Sequence, residues 1–176
     1  GEQLGQIHYN SPRAGEVFSS LVQAIMATIA DNLQAIGARI RRAAQAASRE
    51  PSSVTLLAVS KSHPASCIEQ AHAAGQRAFG ENYVQEAVEK MAALPAGLEW
   101  HLIGALQSNK TRLAAERFDW VHTLASEKIA RRLSEQRPAG HAPLNVLIQV
   151  NISAEDSKAG VAPGGARLLC EGIAGL

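Results

Sequence analysis

Apolar residues recur along this chain in short runs that alternate with amphipathic stretches of helical period. Between residues 21 and 47 the apolar positions follow one another at steps of three and four, which predicts one long helix. The short runs that come after it predict five strands, at residues 54–60, 77–80, 98–103, 120–123 and 144–151. The stretches between and after these runs predict helices at residues 64–74, 83–93, 108–116, 126–136 and 166–176.

Regular alternation of strand and helix predicts parallel strands that are joined by helical crossovers. The two candidate architectures are a (β/α)₈ barrel and an open, doubly wound sheet. An open sheet that binds a nucleotide has a glycine-rich turn after its first strand, whereas residues 61–64 here read Lys-Ser-His-Pro. We therefore predict an α/β fold, a (β/α)₈ TIM-type barrel. The chain contains five βα units of such a barrel. It is too short to close the barrel, since a complete one needs about 250 residues.

The chain divides into two predicted parts. Residues 1–20 are polar and aperiodic, and we expect a flexible N-terminal segment. Residues 21–176 form the partial barrel domain with its extra N-terminal helix. Residues 172–176 contain no helix stop signal, so we expect the chain to end within a longer barrel. Open barrel edges expose unpaired backbone groups, which predicts a monomer or weak self-association through those edges.

Composition narrows the possible partners. A net charge of +1 and an aromatic content of 4% argue against binding to nucleic acid or to an anionic membrane surface. No apolar run approaches the roughly 20 residues that cross a bilayer. Cys67 and Cys170 lie far apart and match no metal-ligand spacing. We interpret them as small core residues in a reducing compartment, which predicts a cytoplasmic protein without a metal site.

Functional groups of parallel α/β folds gather at the carboxyl ends of the strands. The residues at these ends are mostly neutral; they are Ser60, Lys61, Glu81, Asn82, 104–107, His122, Thr123, Gln149 and Asn151. They include one amine and no paired-carboxylate, Ser-His-Asp or histidine-rich metal pattern. A lysine among neutral groups suits covalent bonding to an aldehyde, because burial and scarce anions lower the pKa of an amine and leave more of it nucleophilic.

Each of these residues also has a structural interpretation. Lys61 can be a surface charge at the end of its strand. Asn82 can cap the helix that is predicted to begin at Tyr83. Glu81 can be a solvated charge at the rim, and His101, inside the third strand, is expected to be a hydrogen-bonded core histidine.

Four motifs occur in a fixed order along the chain. They are Ala-Val-Ser-Lys at 58–61, Phe-Gly-Glu-Asn-Tyr-Val-Gln-Glu at 79–86, Trp-His-Leu-Ile-Gly-Ala-Leu-Gln-Ser-Asn-Lys at 100–110, and Asn-Ile-Ser followed by Ser-Lys-Ala-Gly within 151–160. Together they resemble the pyridoxal phosphate homeostasis protein family, also known as the proline synthetase co-transcribed family. The match runs from about Leu21 to Leu176. Ala105 departs from the proline of many members.

The resemblance implies a barrel similar to the N-terminal domain of alanine racemase and other fold-type III enzymes, without their second domain. It also implies that pyridoxal 5′-phosphate is held as an internal aldimine, a Schiff base, on Lys61. Asn82 falls in the family's second cofactor-contacting motif, with Phe79 nearby. Members are regarded as carriers and regulators of intracellular pyridoxal phosphate (vitamin B6) and amino-acid balance, so no catalytic residue is assigned.

The alternative is a fold-type III enzyme, such as an amino-acid racemase. A racemase needs acid–base groups on both faces of the substrate carbon, one of them a tyrosine of the second domain. This chain has only Tyr9 and Tyr83, so a carrier fits better. In the family the phosphate is held after the last barrel strands, which this chain lacks. Each lost charge-assisted hydrogen bond costs roughly 1.5–3 kcal/mol, so we expect the chain alone to bind the cofactor weakly or not at all.

Overall fold

The computed structural model describes residues 28–155 and 159–176, in which six α-helices alternate with five strands. The helices are α1 (Ile29–Ala46), α2 (Ala65–Ala73), α3 (Val84–Ala93), α4 (Thr111–Arg117), α5 (Glu127–Gln136) and α6 (Ala166–Ile173). The strands are β1 (Ala58–Val59), β2 (Ala78–Glu81), β3 (Glu99–Leu102), β4 (Trp120–Leu124) and β5 (Asn145–Ile148). The predicted alternation of strands and helices after α1 is therefore confirmed.

The five strands form one parallel sheet in the order β1-β2-β3-β4-β5. Each crossover moves one strand in the same direction, and right-handed crossovers then place the helices on one face of the sheet. A doubly wound sheet reverses its strand order and carries helices on both faces. The structure therefore supports the predicted barrel architecture over the open sheet.

The hydrophobic core lies between this sheet and its helices. Phe79, Leu102 and Val121 point from neighbouring strands towards the helix layer and are almost fully buried. They meet apolar residues of α2 to α5, namely Ile68, Ala71, Val84, Ala87, Ala114, Ala115 and Leu133. Burial of each large side chain contributes roughly 1.5–3 kcal/mol, and this packing fixes where each strand ends.

The opposite face of the sheet, here called the inner face, corresponds to the interior of a barrel. Strand register places Gly80, His101 and Trp120 side by side on it. Val59 of β1 and Leu147 of β5 lie on the same face and remain 48% and 45% exposed. In the described residues, the two outermost strands thus present apolar side chains as well as strand edges.

The predicted helix over residues 21–47 is confirmed from Ile29 to Ala46 as α1, but it does not continue through Thr28 as one helix. Thr28 is extended and accepts the amide proton of Asp31, while the Asp31 carboxylate accepts the amide proton of Thr28. This capping box begins α1 at Ile29, even though the apolar period continues through Thr28. Residues 1–27, including the predicted flexible segment at 1–20, lie outside the described residues.

Two strands are shorter than predicted. The first strand is predicted at residues 54–60, but only Ala58 and Val59 pair in β1. A 3₁₀ turn at Pro51–Ser53 directly precedes the predicted start. β5 ends at Ile148, after which Val150 forms an isolated bridge to Val161. In both cases the apolar run is longer than the stretch of neighbouring strand with which it can pair.

The cysteines only partly match their prediction as core residues. Both are free thiols, but Cys67 is half-buried and Cys170 is exposed. None of the helices in the described part of the chain is long and apolar enough to span a membrane.

Candidate functional site

The register of β1 and β2 brings Lys61 and Asn82 to the same edge of the sheet. Val59 lies opposite Gly80, and the Ser60 amide donates to the Gly80 carbonyl at 2.9 Å. Lys61 follows Ser60, and Asn82 is the first residue after β2. The predicted neighbourhood of amine and amide therefore follows from the pairing of two adjacent strands.

Lys61 occupies a tight turn directly after β1. The His63 amide donates to the Ser60 carbonyl at 3.0 Å and closes the turn around Lys61 and Ser62. Ser62 has φ +62°, in the left-handed region that disfavours residues other than glycine. Lys61 itself is exposed, so the burial of this lysine that the sequence suggests is wrong. The turn instead holds the residue at the solvent-facing rim.

A partly buried ion cluster lies beneath this turn, between β2 and α3. Lys90 Nζ donates to Glu81 Oε1 at 2.8 Å and to Glu86 Oε1 at 2.7 Å. The Ser60 hydroxyl also donates to Glu81 Oε1, at 2.6 Å. The Glu81 side chain is 0% exposed, so its interpretation as a solvated rim charge is wrong. Glu81 lies two residues after Phe79 and shares its helix-facing side of the strand.

The same cluster binds the backbone of the turn. Lys90 Nζ donates to the Ser60 carbonyl at 2.9 Å, and the Ser62 amide donates to Glu86 Oε1 at 2.9 Å. Burial alone would lower the pKa of Lys90, but hydrogen bonds and charges from Glu81 and Glu86 outweigh it and raise that pKa. The hydrogen bond from Lys90, followed by that from Ser62, lowers the pKa of Glu86. Lys90 therefore stays protonated and is not a free nucleophile.

Asn82 does not cap α3. The N-terminal cap is Tyr83, without a side-chain hydrogen bond, and the half-buried Asn82 amide bonds to no other described residue. The Asn82 backbone lies against Gly104, where an added Cβ would collide with the Asn82 carbonyl oxygen and lie 2.7 Å from its Cα. Glycine at 104 thus allows the segments after β2 and β3 to meet.

Phe79 lies away from this edge. Its side chain is 1% exposed in the core, with its ring centroid 6.0 Å from that of Trp100. The structure therefore gives the Phe79 side chain a packing role in the core.

A polar chain that the sequence did not reveal crosses the inner face. His101 Nδ1 lies 2.9 Å from His122 Nε2, and His101 Nε2 lies 2.9 Å from Glu99 Oε1. His101 also stacks on Trp120 at 5.5 Å. Burial lowers the pKa of both histidines. The interpretation of His101 as a buried, hydrogen-bonded histidine is confirmed, but it lies on the inner face rather than against the helices, and His122 is its partner.

The remaining residues of the predicted rim make local contacts. The Thr123 hydroxyl donates to the Gly104 carbonyl at 2.8 Å, which ties β4 to the end of β3. The Asn151 side-chain amide donates to the Glu155 carbonyl at 2.9 Å within its own loop. Ser157 and Lys158 of the fourth motif lie outside the described residues.

Comparison with known proteins places this geometry in a family. The family model described as "Alanine racemase, N-terminal domain" matches residues 32–176. The pyridoxal phosphate homeostasis protein of Pseudomonas aeruginosa is 58% identical over 149 residues, which cover 84% of this chain and 65% of the relative. The chain thus spans under two thirds of the length of that relative.

Solved structures of PipY from Synechococcus elongatus share the fold. The structure without pyridoxal phosphate has a TM-score of 0.63 and 44% identity, and the match covers 78% of this chain and 65% of PipY. The structure with pyridoxal phosphate bound has a TM-score of 0.57 and 45% identity, with coverages of 73% and 60%. The chain therefore belongs to the alanine racemase N-terminal domain family, and its resemblance to the pyridoxal phosphate homeostasis proteins within that family is confirmed.

Proposed function

We propose that this chain is the lysine-bearing part of a protein that carries pyridoxal phosphate and regulates its supply. The main support for the proposal is a difference in exposure and hydrogen bonding between two lysine amines near the carboxyl end of β1. Lys61 is exposed in a constrained turn, whereas the Lys90 ammonium donates to three acceptors and is 10% exposed. Lys61 is the amine that is available to a ligand.

Pyridoxal phosphate carries an aldehyde, which condenses with a lysine amine to form a C=N bond with release of one water. Lys61 supplies the amine in this proposal, because it stands at the carboxyl edge of the sheet. Asn82 supplies an amide donor and acceptor from the neighbouring strand. Lys90 remains protonated beneath them and does not compete for the aldehyde.

The described residues fit the aldehyde end of the cofactor better than its phosphate. Phosphate sites of (β/α)₈ barrels follow strands seven and eight, whereas the described residues form five strands. A phosphate without such donors forfeits several charge-assisted hydrogen bonds, each worth roughly 1.5–3 kcal/mol. The 176-residue chain on its own is therefore proposed to bind weakly or not at all.

A carrier is favoured over a racemase-like enzyme by the chemistry around Lys61. Catalysis on a bound amino acid needs titratable groups that exchange protons with its α-carbon. The titratable groups packed beneath the turn, Glu81, Glu86 and Lys90, are bonded to one another on the helix-facing side of the sheet. The Pseudomonas aeruginosa relative bears the name of a homeostasis protein, and PipY has been solved with pyridoxal phosphate bound. Both observations support a binding role.

We also propose a cytoplasmic location and weak self-association. Both cysteines are free thiols, as expected in a reducing compartment. The β1 and β5 edges, with the exposed Val59 and Leu147, offer surfaces for pairing between copies. Light scattering coupled to size-exclusion chromatography measures this directly, and a strictly monomeric chain at high concentration contradicts it.

The binding proposal is tested on the protein at the full length of its relatives, called the full-length protein below. Pyridoxal phosphate is added and the visible absorbance of the lysine-bound form is followed. We expect this absorbance in the unmodified protein and in Lys128→Ala, which removes an exposed lysine of α5, but not in Lys61→Ala. Absorbance that persists in Lys61→Ala refutes the proposal, and repeated turnover of an amino acid supports the enzyme alternative.

A further inference from the structure

We propose that the partly buried ion cluster beneath the turn positions Lys61 for its bond to the cofactor. The cluster, called the clamp below, consists of Glu81, Glu86 and Lys90. Its members are positioning residues, since they act through the turn rather than on the ligand. Because Lys61 is the attachment point only in the proposed function, this role of the clamp rests on that function.

The clamp grips the backbone on both sides of Lys61. On one side Lys90 Nζ donates to the Ser60 carbonyl at 2.9 Å, and on the other the Ser62 amide donates to Glu86 Oε1 at 2.9 Å. Hydrogen bonds with one ionised partner are roughly twice as strong as neutral ones. The two residues that flank Lys61 are therefore anchored to α3, and the direction in which Lys61 leaves the turn is fixed by that helix.

The turn needs such restraint because Ser62 is strained. Its φ of +62° places an L-residue in the left-handed region, which costs about 1–2 kcal/mol. Such a conformation persists only where the surroundings enforce it, and residues of this kind cluster at functional sites. Glu86 supplies that enforcement through the Ser62 amide. Without it, we expect the turn to relax and the Lys61 amine to spread over several positions.

The composition of the clamp favours positioning over stability. Glu81 is fully buried, and its Oε2 has no hydrogen-bond partner within the described residues. A buried carboxylate with an unused oxygen carries a large desolvation penalty. Apolar residues of similar size often stabilise such a location as well or better. What an apolar set cannot provide is a pair of ionic hydrogen bonds to the turn.

The test changes the clamp at its most accessible member and measures cofactor attachment in the full-length protein. Glu86→Ala removes the acceptor of the Ser62 amide, while Glu86→Gln keeps an oxygen acceptor without the charge. Glu89→Ala, an exposed position of the same helix, is the matched control. The rate and the apparent affinity of attachment are followed by visible absorbance, and borohydride reduction followed by peptide mass spectrometry locates the modified lysine.

We expect Glu86→Ala to weaken attachment by about tenfold or more, the loss associated with one charge-assisted hydrogen bond. Glu86→Gln should restore part of it and leave a severalfold loss, and Glu89→Ala should match the unmodified protein, with Lys61 as the modified residue throughout. If the clamp contributes only to stability, attachment should be unchanged in every variant that is shown to be folded. If Glu86→Ala does not fold, Glu86→Gln takes its place, with an expected loss of severalfold.

Two results separate the possible failures. Attachment that depends on Lys61 but is unchanged in folded Glu86→Ala, or in Glu86→Gln where that variant replaces it, overturns the role of the clamp alone. Attachment that persists in Lys61→Ala overturns the proposed function and the role of the clamp with it.

Discussion

Replacing Lys90 by methionine should strongly destabilise the protein. Methionine keeps an unbranched side chain but removes the ammonium group that donates to Glu81, Glu86 and the Ser60 carbonyl at 2.7–2.9 Å. Glu81 is then left fully buried, with the Ser60 hydroxyl as its only donor among residues 28–155 and 159–176. Removing one partner of a buried ion pair costs about 3–5 kcal/mol, out of a total stability of roughly 5–15 kcal/mol for a domain.

Urea denaturation followed by circular dichroism gives the free energy of unfolding for each variant. The double variant Glu81→Gln with Lys90→Met removes both charges, and we expect it to be more stable than Lys90→Met alone. Lys128→Met, at an exposed position of α5, should change stability by less than about 0.5 kcal/mol. A loss below about 1 kcal/mol for Lys90→Met, or a double variant that is less stable still, would refute the reasoning about a buried, mutually dependent pair.

Three further predictions concern other parts of the structure. Gly104→Ala places a Cβ against the Asn82 backbone, and we expect a loss of about 1–3 kcal/mol in urea denaturation together with weaker cofactor attachment. Burial holds the pKa of both His101 and His122 below the ordinary value of 6.5. Below pH 6.5 these histidines therefore bind more protons in the unfolded chain than in the folded one. The free energy of unfolding should therefore fall as the pH drops through 6.5 towards the folded-state pKa values, and His122→Gln should flatten this dependence. Thr28→Ala removes the cap of α1 and should cost about 0.5–2 kcal/mol, whereas an unchanged melting temperature contradicts that role.

The sequence predicted the fold because the signals that define it are local and repeated. Helix α5 (Glu127–Gln136), for example, falls within the predicted range 126–136. The start of α1 at Ile29 does not follow from the apolar pattern, because apolar periodicity continues through Thr28, where a side-chain capping box begins the helix. The Thr-x-x-Asp spacing of Thr28 and Asp31 was the available signal, and it outweighed the apolar pattern.

The candidate site was only partly predictable. A strand-end lysine beside a strand-end amide follows from the parallel order, so Lys61 and Asn82 could be placed together. The partnership of Glu81 with Lys90 could not be foreseen, since it depends on how α3 packs on β2. The spacing of Glu86 and Lys90, four residues apart on one helix, was the visible part of that network.

The position of Phe79 shows the same limit. Its place in a family motif suggested a cofactor contact. Side chains alternate between the two faces of a strand, however, and the Phe79 side chain lies on the face that packs against the helices. Whether a residue near a rim faces the ligand or the core depends on a register that is set by neighbouring strands.

The proposed function depends most on which lysine bonds the cofactor. The direct measurement is borohydride trapping of pyridoxal phosphate on the full-length protein, followed by peptide mass spectrometry. We predict that the added mass lies on Lys61, that Lys90 is unmodified, and that Lys61→Ala abolishes the labelling. Specific labelling of another lysine, or equal labelling of Lys61→Ala, would contradict the assignment of Lys61 as the cofactor-bearing residue.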